Sequence, residues 1–413
     1  MKPGYDAIVV GGGPAGATAA ALLAQAGWHI ALIEKTPFPR RKVCGEFILQ
    51  TTWPLLRQLG IAGALLEIAG PVVRRVGVYA GDTMVSAELS VPAGRADEVG
   101  RALGREHLDT LLLQRAGELG ADIWQPWTLS GFAANRGGYD CALVDKGSGR
   151  SRDLRSPLII AAHGSWESGA MPTQALRFAS HPGDLFGFKA HFTNSALPID
   201  LMPLIAFPGG YGGMVHTDGR RVSLSCCIRR DQLARCRQRM PHASAGPAVL
   251  AHIEASCKGV ALALSAATLD GVWLSAGPLR TGIRSFGKDG IFAVGNAAAE
   301  AHPIVAEGIS MAVQSACLLC EQLIARLDTE RHSALSSDML ESVRNAYAAT
   351  WRRNFSRRLH VSALFAHLFM RPVSSRLAAA MLERVPQLLT WGARWSGKAD
   401  RLRGALEFDV PQS

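Results

Sequence analysis

Three glycines at G-x-G-x-x-G spacing, Gly11, Gly13 and Gly16, directly follow a short apolar run, Ala7 to Val10. That spacing suits one task, holding a pyrophosphate on the backbone. Gly11 permits the tight strand-to-helix turn, Gly13 lets the backbone approach the phosphates, and Gly16 lets the helix pack on the strand. Ala17 to Gln25 reads as that helix, stopped by Gly27. Its N-terminus offers free N–H groups and partial positive charge to the phosphates. Glu34 lies 18 residues past Gly16, at the end of a second apolar run, Trp28 to Ile33. A carboxylate there accepts hydrogen bonds from ribose hydroxyls. Strand, turn, helix, strand and acid follow in order, so a glycine-rich turn without a ligand is the weaker explanation.

Other residues able to do chemistry are dispersed. Lys42-Val43-Cys44-Gly45-Glu46 follows the second strand, and Cys44 is either a thiol near bound ligand or an inert buried one. Arg40, Arg41 and Lys42 read equally well as functional or solvated. His302 precedes Pro303, where it serves as an acid/base or as a loop histidine bonded to backbone. His191 and His216 are weaker candidates. Phe186, Phe188, Phe192 and Tyr211 suit either an apolar pocket or a sheet core. Cys317 and Cys320 form a CxxC inside an apolar helical pattern without a partner pair, so no metal site is expected.

These residues need elements to position them. Trp53 to Ile68 reads as one helix, Val72 to Tyr79 and Thr83 to Val91 as a hairpin around Gly81-Asp82, and Arg105 onward as a helix ended by Gly120. Ile123 to Leu129, Cys141 to Val144 and Leu158 to Ala162 resemble strands. Asp184 to Thr193 alternates Phe186, Phe188, Ala190 and Phe192 against Gly187, Lys189, His191 and Thr193, which predicts a half-buried strand. The glycine cluster at 208–213 has strands on both sides and no following helix, so it is a hairpin rather than a phosphate loop. Ile291 to Val294 is a buried strand, and Gly308 to Leu327 is a helix.

Composition bounds the rest. The chain has 413 residues, 48% of them hydrophobic, enough for two domains. Met1 to Gly4 is too short for a signal peptide, and no uninterrupted apolar run reaches membrane-span length. Eight scattered cysteines fit reduced thiols, so a cytoplasmic protein is expected. The charge of +10 is concentrated: Trp351 to Arg403 holds 11 Lys/Arg against two acids. A nucleic-acid enzyme more often spreads basic residues around its site, so none is expected as partner. Trp351, Phe355, Leu359, Phe365, Leu368 and Phe369 intersperse with arginines there. Packing or capping is the favoured reading of this segment. Contact of 351–403 with an anionic membrane or a carrier protein is the alternative.

Three separated blocks carry a family resemblance: GGGPAG with Glu34, the Arg105-x-x-Leu108-Asp109 helix start, and GNAAAEAHPIVAEGISMA at 295–312. Across roughly residues 1–345 the chain resembles the FAD-dependent flavoprotein monooxygenase superfamily with a single Rossmann module. Lys42-x-Cys44-Gly45-Glu46 makes it most similar to the geranylgeranyl-reductase branch. The resemblance implies FAD held by Gly11, Gly13, Pro14, Ala15 and Gly16 at the pyrophosphate, Glu34 with Lys35 at the ribose, and Arg105 reaching the cofactor. It places Asn296, where the family usually has Asp, on the ribityl chain, and aims the helix starting at Gly308 and Ile309 at the flavin ring. Cys44 and His302 are the implied catalytic candidates. NAD(P)H would visit as a transient electron donor, since only one dinucleotide fingerprint is present. His163-Gly164 replaces the usual Asp-Gly, only Phe207-Pro208 survives of the reductases' aromatic motif, and the W-x-W-x-I-P motif of flavin halogenases is absent.

The expected architecture is α/β. A discontinuous Rossmann-type FAD-binding domain comprises 1–75, 95–170 and 285–345. A mostly antiparallel substrate-binding sheet comprises 76–94 and 171–284, and a basic helical C-terminal segment covers 346–413. The expected function is FAD-dependent hydroxylation of a bulky apolar or aromatic small molecule with NAD(P)H and dioxygen. Reduction of carbon–carbon double bonds in an isoprenoid or polyketide-like chain is the runner-up, and modification or docking of a carrier protein or peptide a third reading.

Overall fold

A computed structural model describes residues 4–89, 99–165, 169–174, 179–327, 335–385 and 387–389. A six-stranded sheet forms the first layer. Its core is parallel: β7 (Asp122–Trp124), β2 (Ile30–Ile33), β1 (Ala7–Val10), β11 (Leu158–Ala161) and β19 (Ile291–Ala293), with β18 (Gly287–Lys288) antiparallel at the edge. Every residue of β1, β2 and β11 is buried, as strands covered on both faces require. Helix α1 (Pro14–Gln25) packs between this sheet and two helices, α4 (Arg105–Glu118) and α8 (Gly308–Leu327). The alanine-rich α1 is buried from Pro14 to Ala24, because only small residues let three neighbours approach at once. Among the described residues, α8 is the one helix long and apolar enough to cross a membrane, and most of it is buried within the fold.

The second layer is a seven-stranded sheet in the order β16 (Thr268–Leu279), β12 (Leu185–Thr193), β15 (Val222–Arg229), β14 (Gly210–His216), β13 (Leu201–Phe207), β4 (Arg75–Ala80) and β5 (Thr83–Glu88). All pairings are antiparallel except β13 with β4. Helices α5 (Arg230–Arg239), α6 (Ala245–Ser256) and α7 (Lys258–Leu264) cover one face. The other face turns toward the first layer. Cys226 and Cys227 fall on opposite faces, one in each apolar cluster, as their adjacency in a strand dictates. A three-stranded meander of β8 (Trp127–Asn135), β9 (Gly138–Asp145) and β10 (Ser151–Ser156), and the pairs β3 (Phe47–Ile48) with β6 (Arg101–Ala102) and β17 (Gly282–Ile283) with β20 (Ala299–Glu300), complete the strands. Helix α9 (Ser337–Phe369) runs unbroken across residues 345 and 346, and α10 (Pro372–Arg384) follows it onto β4 and β5.

Three expectations are corrected, and one left open is decided. Trp53 to Ile68 is not one helix but two, α2 (Trp53–Gln58) and α3 (Ala62–Ile68), because Gly60 takes a left-handed conformation (φ +77) between them. Ile123 to Leu129 is not one strand. Pro126, which donates no ladder hydrogen bond, separates β7 from β8, and the two join different sheets. Strand β12 is not half-buried, since Lys189 and His191 are as inaccessible as its phenylalanines. Phe188 and Phe192, with Phe186 beside them, pack toward α5–α7 rather than lining a pocket, and only Tyr211 of the four aromatic candidates reaches the cavity.

Candidate active site

A large cavity lies between the two sheets, bordered by the glycine turn, the Lys42–Glu46 loop, the start of α8, and strands β13 and β14. The first turn shapes one wall. Gly11 has φ +111, and a Cβ there would stand 2.5 Å from the Ala162 carbonyl oxygen. A Cβ on Gly16 would stand 1.8 Å from the Gly11 carbonyl oxygen, so this glycine serves packing and does not border the cavity. Gly13, Pro14 and Ala15 do border it. No side chain caps the N-terminus of α1, which leaves its first N–H groups for a ligand.

Glu34 terminates β2 and holds the turn. Its Oε2 accepts the Gly12 N–H at 2.9 Å, and its Oε1 accepts the Thr36 N–H at 2.9 Å. Arg40 stands 3.5 Å from the same carboxylate, and its Nε is buried without a hydrogen-bond partner among the described residues. Lys35 is exposed at the rim. Arg105 opens α4 and forms a two-pronged pair with Asp109, at 2.6 and 2.7 Å. Burial alone would lower its pKa, and the buried Asp109 carboxylate more than reverses this, so the guanidinium is firmly charged. It reaches within 3.6 Å of where a Gly13 Cβ would lie.

The late motif closes the other end. Gly295, at φ +58, lies against Ala15, where a Cβ would stand 2.8 Å from that methyl. Asn296 borders the cavity and donates to Glu300 at 3.2 Å. Burial pushes the Glu300 carboxyl pKa up, and Arg284, 2.8 Å away, pulls back only part of this. Ala306 adopts a left-handed conformation (φ 54) that turns the chain into α8. Gly308 then faces open space, with nothing within 4 Å of its Cβ position, and Ile309 borders the cavity beside it.

His302 and Cys44 border the same cavity. His302 is 8% exposed, and burial with the neighbouring His367 pushes its pKa down to about 4. The neutral ring spans two hydroxyls, Nδ1 to Tyr211 Oη at 3.2 Å and Nε2 to Thr281 Oγ1 at 3.2 Å. Burial raises the Tyr211 pKa strongly, so this phenol keeps its proton. Cys44 is half-buried, with Sγ 3.4 Å from the Glu46 N–H. Apolar side chains, among them Met202, Leu204, Leu279 and Ile304, border the same cavity.

Sequence reasoning named most of the following groups without joining them. Glu46, Lys189 and His191 form a buried cluster, in which Glu46 accepts Lys189 Nζ on Oε1 and His191 Nε2 on Oε2 at 2.8 Å. The available signal was a lysine and a histidine in a strand otherwise made of Leu, Phe, Gly and Ala, with a terminal Thr. Arg40 and Arg41 are not merely solvated, since Arg41 pairs with Glu106 and Asp270 at 3.3 Å. Glu106, His107 and Asp218 converge closely enough to hold a metal ion, but Arg221 already pairs with both carboxylates. Trp351 from α9 also borders the cavity, so the C-terminal helix supplies part of its wall.

FAD fits this constellation. The uncapped α1 start, the glycines that admit no Cβ, the unpartnered Arg40 Nε and the open approach to Gly308 match a dinucleotide and a flavin ring in turn.

Comparison with known proteins agrees. Residues 4–202 match the family model described as FAD binding domain. Conditioned medium factor receptor 1 of Dictyostelium discoideum is 25% identical over 413 residues, covering 95% of this chain and 77% of that protein. Digeranylgeranylglycerophospholipid reductase 1 of Methanopyrus kandleri is 25% identical over 411 residues, covering 93% and 96%. A Pseudomonas fluorescens chlorinase of a pyrrole-carbonyl peptidyl-carrier protein is 28% identical over 178 residues, 39% of each chain. Among solved structures, a myxobacterial chondrochloren halogenase superposes with a TM-score of 0.75 at 19% identity, covering 95% and 91%. A probable FAD-dependent monooxygenase from Pseudomonas aeruginosa does so at 0.67 and 16% identity, covering 90% and 98%. The FAD binding domain model thus spans residues 4–202, just under half of the chain, and the solved structures share the fold of nearly the whole of it.

Proposed function

We propose that this flavoprotein is a monooxygenase that hydroxylates a bulky apolar or aromatic small molecule, with NAD(P)H as electron donor and dioxygen as oxidant. The observation that carries the reading is the character of the cavity beyond the α8 start. Its wall is apolar at Met202, Leu204, Leu279 and Ile304, and the catalytic candidate His302 and its partner Tyr211 are uncharged. Such a wall desolvates an apolar substrate without stranding a charge. Bound FAD would supply the redox chemistry. The protein's share is placement: Gly11, Gly13, Pro14, Ala15 and Arg105 at the phosphates, Glu34 at the ribose, Asn296 at the ribityl chain. The N-terminus of α8, at Gly308 and Ile309, faces the ring end, where its dipole favours negative charge. The Thr281–His302–Tyr211 chain can move a proton between the cavity and the loop behind it.

A second reading, saturation of a carbon–carbon double bond, is favoured by the similarity to the archaeal lipid reductase over nearly the whole of both chains. In that reaction Tyr211, backed by His302, would donate the proton that accompanies hydride delivery. Parallel measurement of NAD(P)H and oxygen consumption with a panel of apolar substrates separates the two. Oxygen-dependent turnover with a hydroxylated product supports the first reading. Anaerobic turnover with a saturated product rejects it.

A further inference from the structure

Glu46 ends the Lys42–Glu46 loop with a left-handed backbone, φ 60, rare for a residue with a side chain. Such a conformation persists where its surroundings over-determine it. Here they do. The Glu46 carbonyl accepts the Leu103 N–H at 3.0 Å. Its Oε1 accepts the Arg105 N–H at 3.3 Å and Lys189 Nζ, and its Oε2 accepts His191 Nε2 at 2.8 Å. The Glu46 and Lys189 side chains are fully buried, and His191 nearly so.

One carboxylate thus ties together the loop, the first turn of α4 and strand β12 of the substrate sheet. A buried ion pair adds little net stability over apolar residues of the same shape, so its use here is placement. What it places is the cavity wall. Cys44 lies two residues before Glu46, with Sγ against the Glu46 N–H. Gly187 of β12 packs under the same loop, and a Cβ there would stand 3.1 Å from Val43. Arg105, whose backbone is held by Glu46, sends its guanidinium toward the glycine turn.

We propose that Glu46, Lys189 and His191 form a positioning cluster that fastens the Lys42–Glu46 loop to the substrate sheet and thereby fixes Cys44 and Arg105 at the flavin site. The part concerning the flavin rests on the FAD-binding reading above. Cys44 supplies the reporter, since the other seven cysteines are buried. The decisive variant is Glu46→Gln/Lys189→Met in the full chain, which removes both charges together and strands neither. Its Cys44 should react with an aromatic disulfide reagent about tenfold faster than in the wild type, and its FAD dissociation constant should rise about tenfold. Val249→Ala, which opens space in the α6 core on the face of the sheet opposite Lys189 and His191, should lower the melting temperature and change neither readout. If the double variant does not fold, His191→Gln, which alters a single partner, carries the same expectation on a smaller scale. Wild-type labelling and FAD affinity in the folded variant overturn the proposal. Equal acceleration in Val249→Ala also overturns it, because the labelling would then report general loosening. A wild-type protein that binds no FAD refutes the cofactor reading alone, and the labelling rates still judge the cluster.

Discussion

His302 gives the sharpest quantitative test of the site's electrostatics. Its ring is held neutral, with the pKa down from 6.5 to about 4, first by burial and then by His367. The unfolded chain takes a proton on His302 as the pH falls through 6.5, and the folded chain does so only near 4. Between those values the unfolded state binds more protons, so stability falls with falling pH. The contribution is complete above 6.5 and is lost by the time the pH has dropped through 4. The gap corresponds to a ceiling of about 3 kcal/mol at ~1.4 kcal/mol per pH unit. His302→Gln keeps a polar group at the site and removes the titration. Urea unfolding at a series of pH values from 7 to 4.5 should show the wild type losing about 2 kcal/mol more than the variant. Glu46 does not confuse the window. Its pKa, lowered to about 2 by Lys189 and His191 against the opposing effect of burial, moves stability only as the pH falls from 4.5 toward 2. Parallel pH profiles for wild type and variant would refute the neutral, buried His302.

Three further outcomes are expected. Gly16→Ala forces a methyl to within 1.8 Å of the Gly11 carbonyl oxygen, so FAD absorbance and melting temperature should fall together. Gly308→Ala meets no protein atom within 4 Å; FAD titration should show weaker binding at an unchanged melting temperature, and loss of both would mean that the methyl strikes protein. Arg105→Met leaves the fully buried Asp109 with only Arg40, 3.7 Å away, which should cost up to about 3–5 kcal/mol in denaturant unfolding. Adding Asp109→Leu should recover stability without recovering FAD affinity, and recovery of both would remove Arg105 from the cofactor site.

The glycine-turn end of the cavity was legible because its geometry is local. A turn that admits no Cβ, a helix start and an acid at the next strand end are written within thirty residues. Glu34 was read from the spacing of strand and helix, Arg105 and Asn296 from the family resemblance, and all three border one cavity. The substrate half was not legible, because it depends on which face of β12 meets the other layer. Alternation correctly separated Phe188 and Phe192 from Lys189 and His191. It could not show that the polar face is buried too, since the partner that makes this tolerable, Glu46, lies more than 140 residues away. The Tyr211–His302 contact is hidden for the same reason, joining a strand and a loop across 91 residues. Local breaks misled on a smaller scale: Gly60 and Pro126 each interrupt a run whose apolar content alone favours continuation.

The C-terminal helices change how any docking role must be tested. Deletion of 351–413 would remove Trp351 from the cavity wall, and the buried Phe355 and Arg358 from the core. Burying a large apolar side chain is worth about 1.5–3 kcal/mol, so losing Trp351, Phe355 and Leu359 together withdraws about 5–9 kcal/mol from a protein whose whole stability is of that order. Loss of Arg358 would also leave Gln314 of α8 and Glu307 just before that helix without their guanidinium, 3.3 and 3.7 Å away. The truncated chain should therefore lose FAD and unfold, whatever the helices bind. Arg371, Arg376 and Arg384 are exposed and face no such duty. Charge reversal there should leave FAD bound and the melting temperature within a few degrees, while weakening any electrostatic capture of an acidic partner in a salt-dependent way. A truncated chain that keeps its flavin absorbance would show that α9 is an appendage and not a wall of the site.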